Sequence, residues 1–140
     1  QTELQHRKSG GAAVPIDEKN VDNNDDKIKM SGREVFKNAV QRMSESATLA
    51  LDRSGLNAED IDLLIPHQAN FRIIESTARY SGIPMEKVFV NVDRYGNMSS
   101  ASIPVAMDEA LEQGRLSPGM NILAVAFGAG LNWSAMAIRW

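Results

Sequence analysis

Two residues stand out as groups able to act on a carbonyl, His67 and Asn97. His67 is one of only two histidines and lies in LLIPHQANFRII (63–74). There an apolar run that reads as a buried strand stops at Pro66, and a second apolar, periodic segment follows at once. Asn97 lies in RYGNMSSAS, a turn rich in Gly and Ser. Together, a histidine and an asparagine offer two hydrogen-bond donors without a fixed negative charge. That suits an oxyanion or enolate developing on a carbonyl substrate. They do not make a metal site, which calls for at least one further ligand. Taken singly, each has a plainer structural reading: His67 caps the helix that follows it, and Asn97 makes a turn.

Whether the two can meet depends on the elements that carry them. IDLLI (61–65) reads as a strand, and a helix follows from about Asn70, with Phe71, Ile74 and Ala78 inward, closed by Gly82 and Pro84. KVFVNV (87–92) reads as a second strand. A further helix carries Ile103, Met107, Ala110 and Leu111 to Gly114, with Pro104 in its first turn or at a kink. MNILAVAF and LNWSAMAIRW, joined through GAG, read as an antiparallel hairpin. Strand and helix alternate as in βαβ units, so the expected fold is α/β: a mixed, mostly parallel sheet (βαβαββ) flanked by helices. In such sheets functional groups gather beyond the carboxyl ends of the strands. His67 follows the first strand and Asn97 the second, one strand–helix–strand unit apart.

Upstream, SGREVFKNAV opens an amphipathic helix with Phe36, Val40, Met43, Ala47 and Ala50 on its apolar stripe. Ser31 and Glu34 have the spacing of a capping box, and Gly55 suits the stop. Residues 1–30 are polar, rich in Gly, Asn, Asp and Lys, and lack a sustained apolar period. They read as a loop, insertion or linker leading into a domain at 31–140, with mobility expected around Asp22 to Asp26. His6 falls in that tail and takes no role.

The 140 residues suffice for one domain with a real core. A hydrophobic content of 43% with 24% charged residues is that of a globular protein, and a formal charge of -3 argues against nucleic acid as the main partner. No long apolar run is present, so no membrane span is expected and a cytoplasmic setting is the default. Cysteine is absent, which excludes a thiol nucleophile within these residues. Opening on Gln, the chain reads as a processed or truncated piece.

Two further features are suggestive. FGAG (127–130) could turn backbone N–H groups toward an oxyanion, although a hairpin needs the same glycines. Arg72, Glu75, Ser76 and Arg79 share one helix face, a solvated face that Arg33 and Lys37 could extend into a basic rim for an acidic partner.

PHQAN, YGNMSSAS and AFGAGLNW, in this order and spacing, resemble the C-terminal half of beta-ketoacyl-acyl carrier protein synthase III, a thiolase-fold condensing enzyme. The resemblance covers about Ser31 to Trp140. It implies an acyltransferase of fatty acid biosynthesis with a Cys-His-Asn triad, whose cysteine lies in the other half and takes an acyl group from coenzyme A. His67 and Asn97 would then bind the thioester carbonyl of malonyl-acyl carrier protein during decarboxylation, and the backbone of Gly128 and Ala129 would serve a second oxyanion.

By the same resemblance Gly32, Ala69, Asn70 and Phe127 line the pantetheine, coenzyme A and acyl site. Lys37, Gln68, Phe71, Arg72 and Arg79 meet the carrier protein. Tyr80 stands where some relatives have a basic residue. No permanently bound cofactor and no metal are implied, since coenzyme A and phosphopantetheine thioesters are substrates. The implied partners are a complementary N-terminal half, acyl carrier protein, and a second copy in a homodimer. The chain alone is expected to be inactive. A related acyltransferase of secondary metabolism and a non-catalytic subunit of the same fold are the alternative readings.

Overall fold

The computed structural model describes residues 2–140. It divides into two compact units. One comprises the residues up to Asn38 together with Gly128–Asn132; the other comprises Ala39–Phe127 and Trp133–Trp140.

In the first unit, β1 (Gln5–Arg7) and β2 (Ile28–Met30) pair antiparallel, Gln5 opposite Met30 and Arg7 opposite Ile28. The ladder extends to Ser31, whose N–H donates to the Leu4 carbonyl at 2.8 Å. Within the stretch read as a loop or insertion, 5–7 and 28–30 thus form a short two-stranded pairing. The pairing escaped the sequence pattern because each strand has only three residues, QHR and IKM, too few to show a sustained alternation. Asp25 and Asp26, in the stretch expected to be mobile, carry ion pairs to Lys29 and Lys27 at 2.8 and 2.7 Å.

Helix α1 (Gly32–Ser54) begins and ends where the sequence placed it. Its buried stripe keeps Met43 and Ala47 as expected but differs toward both ends. Ala39, Met43, Ala47 and Leu51 are buried, whereas Phe36 is exposed and Val40 and Ala50 are half-buried. The helix closes by a Schellman motif: Gly55 at φ 68, Leu56 N–H on the Leu51 carbonyl, Gly55 N–H on that of Asp52. Only a residue without Cβ takes that φ freely. The same bonding recurs at Gly82 and Gly114 after the next two long helices.

The second unit is built on β3 (Leu63–Pro66), β4 (Asn121–Gly128) and β5 (Asn132–Arg139), side by side in that order. β3 and β4 run parallel, Leu63 opposite Ile122 and Pro66 opposite Val125. β5 follows β4 after three residues, a link that only reverses direction. Helix α2 (Phe71–Tyr80) follows β3, a four-residue helix α3 covers Val92–Tyr95, and α4 (Ser102–Glu112) precedes β4.

Strand periodicity sorts the core into two layers. Leu64, Leu123 and Val125 pack with Ala39, Met43 and Ala47 of α1 and Ile74 and Ala78 of α2. Leu63, Ile65 and Ile122 face the other way, with Ala106 and Ala110 of α4. The sheet is thus sandwiched between helices. Pro104 lies in the first turn of α4, where its missing N–H has no helical partner. Two inward assignments are corrected: Phe71 and Leu111 are exposed, at 50% and 41%.

The segment expected to be a second strand, 87–92, is not one. It is extended beside β3 but joins it through a single parallel bridge, Leu64 to Val88, with Phe89 N–H on the Leu64 carbonyl at 2.9 Å. Past that point its backbone groups are met by a side chain, that of Gln68.

Candidate functional site

His67 sits at the carboxyl end of β3 and is still tied to the sheet, its N–H donating to the Val125 carbonyl at 2.8 Å. Parallel pairing therefore fixes the backbone from which the imidazole projects. Nδ1 lies 2.5 Å from Oγ of Ser102, the first residue of α4. Two elements packed on the same core thus hold the ring. His67 is half-buried, and burial pushes its pKa below the ordinary histidine value. At neutral pH the imidazole is uncharged, so it can donate one hydrogen bond without bringing a cation into the site.

Asn97 follows α3 and is exposed. Its Oδ1 accepts the N–H of Ser99 at 2.9 Å and steadies Ser99 in the left-handed region at φ 54. The oxygen end of the carboxamide is thereby committed to its own loop, and the Nδ2 donor is the end left to offer. One turn of 3-10 helix, Ser99–Ala101, joins this loop to Ser102. Asn97 therefore lies five positions before Ser102, the residue whose hydroxyl meets His67.

Ala69 is half-buried next to the site, its N–H returning to the His67 carbonyl at 3.0 Å. Asn70 caps α2, Oδ1 accepting the Arg72 N–H at 2.9 Å. Phe71, Arg72 and Arg79 are exposed, and the Arg79 guanidinium lies over the Tyr80 ring at 5.1 Å. Phe127 packs partly buried against the core layer shared with α1 and α2.

Gln68 is a correction. It is fully buried, and its carboxamide is spent on the carbonyls of Pro66 and Phe89 and on the N–H of Asn91. Nothing of it remains for a docking protein to touch.

The other assigned residues lie in the first unit. Gly32 and Lys37 are exposed on the first turns of α1. Gly128 and Ala129 are exposed, and the Ala129 carbonyl accepts Asn132 Nδ2 at 2.9 Å. The left-handed residue of this turn is Gly130, at φ 134, so Ala129 carries its Cβ without strain.

Two groups escaped the sequence reading. Ser102 was hidden in the SSAS run, where any of three serines could have reached the histidine. Glu109 left a clearer mark, a carboxylate at helical spacing from Ser102, Ala106 and Ala110 on the buried stripe of α4. It accepts Asn91 Nδ2 at 2.8 Å and pairs with Arg94 at 2.6 Å. Among the described residues no cluster of three metal-ligating side chains occurs, and no helix is long and apolar enough to cross a membrane.

A helix-sandwiched sheet with a histidine at the end of a parallel strand is an α/β arrangement, and likeness to solved structures makes it one of the thiolase-like class. The 3-oxoacyl-[acyl-carrier-protein] synthase III of Aquifex aeolicus superposes over 99% of this chain with a TM-score of 0.85 and 42% identity, using 40% of that chain. Residues 51–140 match the family profile described as 3-oxoacyl-[acyl-carrier-protein] synthase III C terminal, and the chain belongs to that family. The beta-ketoacyl-[acyl-carrier-protein] synthase III of a Roseiflexus species is 48% identical over all 140 residues, which cover 43% of that relative. The enzyme of the same name from Clostridioides difficile is 46% identical over 94% of the chain and 40% of its own length. The chain thus spans about two fifths of the curated relatives it matches.

Proposed function

We propose that these residues form the C-terminal portion of a decarboxylating condensing enzyme that joins an acyl group from acyl-coenzyme A to malonyl-acyl carrier protein, the first condensation of fatty acid synthesis. The observation that carries this reading is the neutral, half-buried His67 held at the strand end by Ser102. Asn97 is assigned as the second donor: its loop engages the oxygen of its carboxamide and leaves the nitrogen to donate.

In this reading a cysteine of the complementary N-terminal portion carries the acyl group as a thioester. Malonyl thioester then binds with its carbonyl oxygen accepting from His67 and Asn97. As the carboxylate leaves as CO2, the electrons of its C–C bond flow into the thioester and charge collects on that oxygen. Donors already in place lower the barrier because nothing has to reorganise. The enolate carbon attacks the acyl-cysteine carbonyl, a C–C bond forms, and the thiolate departs with the electrons of the C–S bond.

Ala69, Asn70 and Phe127 are assigned to the pantetheine and acyl group, and exposed Phe71, Arg72 and Arg79 to the acidic carrier protein. From the other unit, Gly32 is assigned to coenzyme A, Lys37 to the carrier protein, and the Gly128 and Ala129 backbone to an oxyanion. The whole enzyme is read as a cytoplasmic homodimer, inactive without the cysteine-bearing portion.

The test is to make His67→Ala and Asn97→Ala in the complete polypeptide and measure the two half-reactions separately. Malonyl decarboxylation should fall about a hundred- to a thousandfold, while acylation of the cysteine persists. Equal losses in both would overturn the assigned roles.

A further inference from the structure

We propose that Ser102 is a positioning residue for His67: its hydroxyl donates to Nδ1 and so holds the neutral ring in the tautomer that carries its proton on Nε2. This rests on the reading of His67 as a donor to the substrate oxygen, because only that tautomer presents an N–H on the ring nitrogen that faces away from α4.

The assignment comes from counting protons. Ser102 is 1% exposed, so its hydroxyl has no access to bulk water. Its Oγ lies 2.5 Å from His67 Nδ1 and 3.3 Å from the backbone nitrogen of Gln68. The Gln68 N–H can only donate, so toward it the serine oxygen accepts. A hydroxyl has one proton and two lone pairs. If Nδ1 were also protonated, the oxygen would accept twice and its own proton would be buried facing no acceptor, a costly state. With Nδ1 bare, Gln68 N–H donates to Oγ, the hydroxyl donates to Nδ1, and the ring proton sits on Nε2, for which no acceptor is present among the described residues and which is left for a substrate oxygen.

Two background effects agree. Burial disfavours the imidazolium, and the positive end of the α4 dipole, where Ser102 sits, does the same. The ring therefore has one proton to place, and Ser102 decides where. A serine on the first turn of a packed helix does this with little freedom of its own, which is why the contact serves to position and not merely to fill space.

Nitrogen resonances of the imidazole test this directly. With 15N-histidine labelling of the complete polypeptide, the ring of His67 is identified as the signal that His67→Gln removes. Above the ring's pKa, long-range proton–nitrogen correlations should show Nδ1 unprotonated and Nε2 protonated. Ser102→Ala should mix the two tautomers and raise the His67 pKa, since a bond that favours the neutral ring has been lost. In the complete polypeptide the same variant should slow malonyl decarboxylation about ten- to a hundredfold, as misoriented catalytic groups do, with cysteine acylation retained. A wild-type ring protonated on Nδ1 would overturn the proposal even if Ser102→Ala did not fold. So would a variant with unchanged tautomer and pKa. Expected spectra beside full activity of His67→Ala would instead overturn the functional reading and leave the tautomer assignment standing.

Discussion

Gln68 accepts the backbone N–H of Asn91 on Oε1 at 2.9 Å, across twenty-three positions of sequence. Its Nε2 donates to the carbonyls of Pro66 and Phe89 at 2.8 and 3.1 Å. One carboxamide thus takes the place of a neighbouring strand for the chain leading to α3. It does so one residue from His67, so the floor of the site and the packing of 88–91 depend on the same side chain.

Replacing Gln68 by Leu, similar in volume, should therefore destabilise the fold by ~2–4 kcal/mol, because two carbonyls and an N–H lose a buried partner. The measurement is the denaturant midpoint at constant slope. A residue that met a docking protein would behave in the opposite way, leaving the midpoint unchanged and weakening carrier-protein binding alone.

Glu109, on α4, meets the side chain of the same Asn91. It takes hydrogen bonds from Asn91 Nδ2 and Gln113 Nε2, at 2.8 and 3.1 Å, and the Arg94 guanidinium at 2.6 Å. Glu109→Ala should cost ~2–3 kcal/mol, since it strands the buried amide of Asn91. Arg94 is nearly half exposed, and Arg94→Ala should cost less than about 1 kcal/mol. Comparable losses for the two variants would mean that the ion pair, and not the amide bond, holds the network.

Most of the scaffold was legible because it is local. Glycine stops, the start of α2 near Asn70 and the apolar run of β3 are statements about neighbours in sequence, and each was read where it occurs. α1 was placed correctly with Met43 and Ala47 inward, but bulky Phe36 outweighs Ala39 in a count of hydrophobic residues, while close packing on the sheet favours the small side chain. What could not be read is non-local. The apolar KVFVNV looks like a strand, and only the position of the Gln68 side chain explains why it pairs at a single point. The contact of His67 with Ser102 spans thirty-five positions and exists because β3 and the start of α4 meet on one core. His67 and Asn97 themselves were put forward from residue type and setting; the contacts that surround them could not be.

The depressed pKa of His67 also makes a stability prediction. Below the unfolded value of about 6.5 the unfolded chain takes up a proton that the folded ring resists. The unfolded state then binds more protons, so unfolding free energy rises with pH through that window and is lost as pH falls from about 6.5 toward the folded pKa. His67→Gln should flatten this part of the profile, measured as denaturant midpoints between about pH 5 and 7. An unchanged slope in the variant would assign the acid sensitivity to other groups.

Asn97 separates structure from chemistry more cleanly than any other residue. Its oxygen holds Ser99, and the proposed substrate contact belongs to its nitrogen. Asn97→Asp keeps the acceptor and removes the donor. Because the residue is exposed, stability should stay within about 0.5 kcal/mol of wild type. Decarboxylation by the complete polypeptide should nonetheless fall at least a hundredfold, as a carboxylate both lacks the N–H and repels the charge that collects on the thioester oxygen. Asn97→Ala loses both ends, and water can replace its bond to Ser99, so it should be as slow and only slightly less stable, by under ~1 kcal/mol. If Asn97→Asp kept its rate within a few-fold while Asn97→Ala did not, the loop bond to Ser99 would be what matters, and Asn97 would be a turn residue with no part in the chemistry.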